Sequence, residues 1–157
     1  MAVNLKKATI QDGEKIHEMQ IVSFKPLLEK YKDYDTSPGV ETLDKVRSRF
    51  AFDNVDHFLI SLGDESIGYI RIHRIEESTC RLSQIFIISS FQSNGYAQTA
   101  IKQVELFYPK AKKWILDTIK QEAKLCYLYE KMGYRITGIE KNIKENMDLV
   151  YYEKCRL

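Results

Sequence analysis

The stretch over residues 82–97, LSQIFIISSFQSNGYA, constrains the fold more than any other part of the chain. The apolar run Ile85-Phe86-Ile87-Ile88 has the length and side-chain type of a buried strand, and Ser89-Ser90 interrupts it. Gln92-Ser93-Asn94-Gly95-Tyr96-Ala97 then leads into a helical pattern. A strand that runs through a small-residue turn into a helix brings unpaired N–H groups and the positive end of a helix dipole to one point. Such a turn is a natural seat for phosphates or other anions, and the expectation is that it holds the pyrophosphate of a cofactor.

The elements around this stretch follow from periodicity. Residues 4–10 read as a first strand, and Thr9 with Asp12 three positions on resembles a capping box. Ile16, Met19, Phe24, Leu27 and Leu28 recur at roughly helical spacing, and Pro26 is expected to end or kink that helix near Lys25. Residues 31–37 read as a loop. Ser37-Pro38 looks like the N-cap and first turn of a second, shorter helix continued by Leu43, Val46 and Phe50. Residues 57–62, 67–75 and 80–88 form a three-strand meander, with Ile70 and Ile72 on one face and Tyr69, Arg71 and His73 on the other.

Beyond the opening stretch, Ala97, Ile101 and Val104 define a helix face that Pro109 ends, and KWILD over residues 113–117 is a short buried strand. Strand, helix and strand suit a parallel crossover. Leu125, Leu128, Tyr129 and Met132 share a fourth helix capped by Gly133, and residues 134–140 and 147–154 close as an antiparallel pair. At 157 residues with 44% hydrophobic side chains, the chain is expected to form one domain over residues 1–157. A formal charge of +2 is too close to balance to argue for nucleic acid. Cys80, Cys126 and Cys155 show no C-x-x-C spacing, so neither a disulfide framework nor a metal site is expected. With no signal-like N-terminus and no window long enough to span a membrane, the expectation is a cytoplasmic protein without a membrane partner.

Two motifs carry a resemblance to the GNAT superfamily of acyl-CoA-dependent N-acyltransferases. Gln92-Ser93-Asn94-Gly95-Tyr96-Ala97 fits that family's Q/R-x-x-G-x-G/A loop, and Leu128-Tyr129-Glu130-Lys131-Met132-Gly133-Tyr134 looks like its L-Y-x-x-x-G-F/Y signature. The resemblance implies an α/β (α+β) fold with a mixed, mostly antiparallel central sheet flanked by about four helices. It implies acetyl-CoA as acetyl donor, no metal, and direct transfer to a primary amine in a ternary complex. One departure stands out: many members carry an asparagine seven residues before the tyrosine, where this chain has Glu122.

The resemblance also assigns roles. Backbone N–H groups from Gln92, Ser93, Asn94, Gly95, Tyr96 and Ala97 would cradle the pyrophosphate, with Phe86 and Ile87 beside the acyl arm and the Ile87 N–H on the thioester oxygen. Tyr129, a phenol of ordinary pKa about 10, would protonate the departing thiolate; a core tyrosine is the competing reading. Asp117 is the first candidate for the base that deprotonates the amine, against a plain turn-forming aspartate, and Glu122 is the second. Tyr31, Tyr34, Tyr69 and His73 would line the acceptor groove. The acceptor is a small-molecule, peptide or protein amine, and a homodimer through exposed strand edges stays open. A non-catalytic acyl-CoA-binding or regulatory module would share every cofactor feature. An unrelated nucleotide-binding protein would instead accept nucleotides lacking the pantetheine arm.

Overall fold

The computed structural model of the protein describes residues 2–156. Its elements are β1 (Val3–Lys7), α1 (Gly13–Tyr31), α2 (Leu43–Ser48), β2 (Val55–Leu62), β3 (Glu65–Glu76), β4 (Thr79–Ile87), α3 (Tyr96–Leu106), β5 (Lys113–Ile119), α4 (Ala123–Lys131), β6 (Arg135–Lys144) and β7 (Met147–Cys155). The strands form one sheet in the order β1-β2-β3-β4-β5-β7-β6. Only β4 and β5 run parallel, joined by the crossover through α3. The other neighbours are antiparallel, as the mostly antiparallel expectation requires.

Alternation along the strands divides the apolar side chains between two layers. Ile60, Ile70, Ile72, Leu82 and Ile87 pack with Ala100, Ile101 and Val104 of α3, with Tyr129 of α4 and with the fully buried Trp114. Leu59, Tyr69 and Phe86 take the opposite face, under Ile16 of α1 and Val46 of α2. Each such side chain taken from water contributes about 1.5–3 kcal/mol, which is what holds the helical layers to the sheet.

Two irregularities in β4 shape the site. Arg71 pairs with Gln84 but Ile72 pairs with Leu82, so Ser83 is an extra, bulged residue. The bulge reverses the parity of the strand. Cys80 and Leu82 lie in the α3/α4 core, whereas Phe86 beyond the bulge lies in the α1/α2 core beside its cross-strand partner Tyr69. The second irregularity is a splay. β4 and β5 pair only from Thr79↔Lys113 to Arg81↔Ile115, while β5 stays with β7 as far as Ile119↔Leu149. A cleft therefore opens between the C-terminal halves of β4 and β5.

Three expectations need correction. α1 runs through Pro26 to Tyr31. Proline removes the N–H that would reach the Val22 carbonyl, but Val22 is 62% exposed, so water can take its place. The second helix is broken. Ser37 caps only a short 3-10 turn, Pro38–Val40, by accepting from the Gly39 N–H at 3.0 Å, and Glu41 is extended. Thr42 caps α2 proper by accepting from the Lys45 N–H at 3.1 Å. Finally, Asp117 lies inside β5, paired with Tyr151, rather than at its end.

Candidate active site

The cleft is lined on one side by backbone. The Ile88 N–H donates to the Ile67 carbonyl at 2.8 Å, which makes these two a hydrogen-bonded pair of the β3–β4 ladder and Gly68 with Ile87 the adjoining non-bonded pair. The N–H and C=O of Ile87 therefore point away from β3, toward the side that β5 has left. The Ile87 carbonyl accepts Gln92 Nε2 at 2.7 Å, and the N–H faces the cleft. Opposite, a Cβ on Gly68 would stand 2.2 Å from the Phe86 carbonyl oxygen, so only glycine permits this approach of β3 to β4. Phe86 itself points elsewhere. It packs against Tyr69 and Phe24 at ring-centroid distances of 5.7 and 5.8 Å.

The turn after β4 is arranged to present donors. Asn94 Nδ2 donates back to the carbonyls of Gln92 at 3.1 Å and Phe91 at 3.3 Å. Ser93 and Gly95 take positive φ of 65° and 79°, which turns successive N–H groups to one side. The first backbone bond of α3 is from the Thr99 N–H to the Gly95 carbonyl at 3.1 Å. Among the described residues, no acceptor meets the N–H groups of Ser93, Asn94, Gly95, Tyr96, Ala97 or Gln98. Gly95 borders open space. The donor set and the room before it fit a diphosphate.

The far wall comes from β5 and α4. Tyr129 is buried, in edge contact with Tyr134 at 6.2 Å and tilted against Tyr152 at 6.3 Å. Burial first, and then the negative charge of Asp117, raise its phenol well above the ordinary value. The Asp117 carboxylate accepts from Arg81 at 2.9 Å across the base of the splay. Glu122 accepts from Lys30 at 2.6 Å and from the Tyr31 hydroxyl at 2.5 Å, tying the end of α1 to the start of α4. Burial opposes it, but these two donors hold the Glu122 carboxyl below its usual range.

The four residues expected to line an acceptor groove are not gathered in one place. Tyr31 is committed to Glu122, and Tyr34 is 64% exposed. Tyr69 is in the core, its hydroxyl 2.6 Å from His57 Nδ1, and His73 bonds Asn54 at 2.9 Å near the far end of β3. Burial pushes the Tyr69 phenol up to about 12 and the His57 ring down to about 4. Under α1 and α2 lies a polar cluster that periodicity did not single out. Glu41 accepts from Arg49 at 2.8 Å and Gln20 at 2.7 Å, and Arg71 and Gln84 face the same layer as cross-strand neighbours. The one signal for it was Arg71 standing on the Tyr69 face of β3. Glu41 and Arg49 fall in the segment with the weakest pattern.

Known proteins share both the fold and the motif segments. A family model described as the acetyltransferase (GNAT) family matches residues 21–134, which include β2 to α4 and both motif segments. The chain belongs to the GNAT family. No curated protein matched the GNAT chain. Solved structures do. An acetyltransferase from Thermus thermophilus superposes with a TM-score of 0.78 at 17% identity, covering 99% of this chain and 98% of that one. Spermidine N-acetyltransferase from Vibrio cholerae, in complex with CoA and spermine, gives 0.79 at 17% identity, covering 98% and 95%. PaiA N-acetyltransferase from Thermoplasma acidophilum, in complex with coenzyme A, gives 0.74 at 14% identity, covering 99% and 100%. At such identities the likeness is one of fold: a GNAT sheet with helices on both faces.

Proposed function

We propose that this GNAT chain, one domain over residues 1–157, transfers an acetyl group from acetyl-CoA to a primary amine by direct attack within a ternary complex. The observation that carries the reading is the pairing of two sets of free backbone donors. Among the described residues the N–H groups from Ser93 to Gln98 lack acceptors, and the Ile87 N–H faces the adjoining cleft. When bound, acetyl-CoA supplies an activated thioester carbonyl. The N–H groups of the turn receive its pyrophosphate, and Gly95 leaves room for close approach. The Ile87 N–H donates to the thioester oxygen as negative charge grows there, and the Gln92 amide on the Ile87 carbonyl keeps that peptide plane fixed.

Proton transfer falls to the opposite wall. Tyr129 keeps its proton at neutral pH and donates it to the departing sulfur. Asp117 takes a proton from the acceptor's ammonium, directly or through water, so that the neutral amine attacks, while Arg81 orients its carboxylate. Glu122 suits that task less well, because Lys30 and Tyr31 stabilise its ionised form. Spermidine and aminoglycoside acetyltransferases among the structural neighbours, and a ribosomal L7/L12 α-N-protein acetyltransferase, show how wide the acceptor range of this fold is. Among the described residues no helix is long and apolar enough to cross a membrane.

Calorimetric titration against acetyl-CoA, ATP and NAD, followed by a free-thiol release assay over an amine library, tests the reading. Binding of acetyl-CoA alone and thiol release with one acceptor class is the expected result. Binding without turnover across the library would favour an acyl-CoA-binding module, and failure to bind acetyl-CoA would overturn the assignment.

A further inference from the structure

We propose that the amine acetylated by this protein also carries a carboxylate, and that Arg71 is the group that binds it; the inference rests on the acetyl-transfer reading above. Arg71 stands mid-sheet in the row His57–Arg71–Gln84, and β4, which carries Gln84, is the last strand before the cleft. The row faces the layer of α1 and α2.

Arg71 is the unusual member of its group. It is half-buried, yet among the described residues no carboxylate lies within ion-pair distance of it. Nearby arginines are each matched: Arg49 with Glu41, Arg74 with Asp56 and Arg81 with Asp117. Glu41 is the nearest source of negative charge, but Arg49 engages both its oxygens and Gln20 also donates to one of them. His57 is neutral, since burial holds its ring near 4, and the Tyr69 phenol is neutral as well. The cluster therefore keeps one uncompensated positive charge, which burial makes costly unless something anionic joins it.

A second polar group in the row is also unpartnered. Gln84 is 8% exposed, and its Oε1 is buried with no donor. A guanidinium whose neighbour is the neutral Tyr69 phenol rather than a carboxylate, and an amide oxygen without a donor, stand side by side on adjacent strands. Their complement is a ligand that offers a carboxylate and an N–H close together. The fork of Arg71 suits a carboxylate, which it can grip through two parallel bonds. Polyamines, by contrast, would bring cations to a wall that already has one in excess.

The test uses matched amines that differ only by the carboxylate: L-lysine with 1,5-diaminopentane, L-phenylalanine with 2-phenylethylamine, and a tripeptide with its C-terminal amide. Two readouts are taken on the full chain: thiol release with acetyl-CoA, and thermal shift of the CoA-loaded protein, which needs no turnover. The carboxylated member of at least one pair should be preferred by more than about tenfold in kcat/KM or in apparent affinity. Arg71→Gln should bring that ratio down to about one, while Arg71→Lys, which keeps the charge without the fork, should retain part of it. Arg71-dependent binding of carboxylated ligands without any thiol release would uphold Arg71 as the carboxylate site and sink acetyl transfer. Thiol release with no carboxylate preference, or a preference that survives in Arg71→Gln, would do the reverse. Absence of any Arg71-dependent carboxylate preference in both readouts overturns the inference.

Discussion

A phenol can serve a departing thiolate only while it keeps its own proton, and Tyr129 is held in that state by two independent effects. Burial removes the solvent a phenolate would need, and the Asp117 carboxylate opposes a second negative charge beside it. Under the proposed mechanism, Tyr129→Phe keeps the ring packed on Tyr134 and Tyr152 and deletes only the donor. Turnover in the thiol assay should fall about 100-fold or more, with little change in acetyl-CoA affinity by titration. The positions proposed for these roles come from motifs in the sequence, in which Gln92, Gly95 and Tyr129 each stand. Arg71 and Gln84 could not be read in the same way. Their character depends on which partners are missing, and that emerges only when β2, β3 and β4 are laid side by side.

The elements were recovered where a period runs unbroken and missed where a single side chain decides. Nothing in the apolar spacing reveals that Thr42 starts a new helix, or that the exposed backbone at Val22 lets α1 pass Pro26. The splay of β4 from β5 is a property of the strand pair, so it is expected from the family resemblance and not from either strand's own sequence. Gly68 is the element-scale weak point. Its missing Cβ is what lets β3 lie against the Phe86 carbonyl, one residue from the Ile87 donor. Gly68→Ala must push the β4 backbone outward, costing about 1–3 kcal/mol in urea unfolding. It should also lower kcat more than it weakens acetyl-CoA binding, because the turn at Ser93 to Gln98 is untouched.

Across the whole molecule, element order and the two motif segments together, through the family they resemble, anticipate a mixed, mostly antiparallel sheet. The insertion of β7 between β5 and β6, and the ties that join distant segments, required coordinates. Glu122 fastens the end of α1 to the start of α4, and Lys144 donates to the Lys32 carbonyl at 3.1 Å nearby. The molecule's tolerance of acid is set partly at His57, stacked on Phe50 at 3.7 Å and kept neutral by burial. Between pH 6.5 and about 4 the unfolded chain binds a proton that the folded ring refuses, so stability rises with pH across that window and is lost as pH falls. Urea unfolding at pH 7, 6 and 5 should show a loss on the order of 2 kcal/mol, flattened in His57→Gln. The bulge at Ser83 has an evolutionary reading too. It works like a reading frame for β4: losing one residue there would exchange inner for outer along half the strand, turning Cys80 and Leu82 out of their core. A deletion at Ser83 is therefore a change of side for every residue on one flank of it, whereas a substitution there leaves the parity of β4 intact.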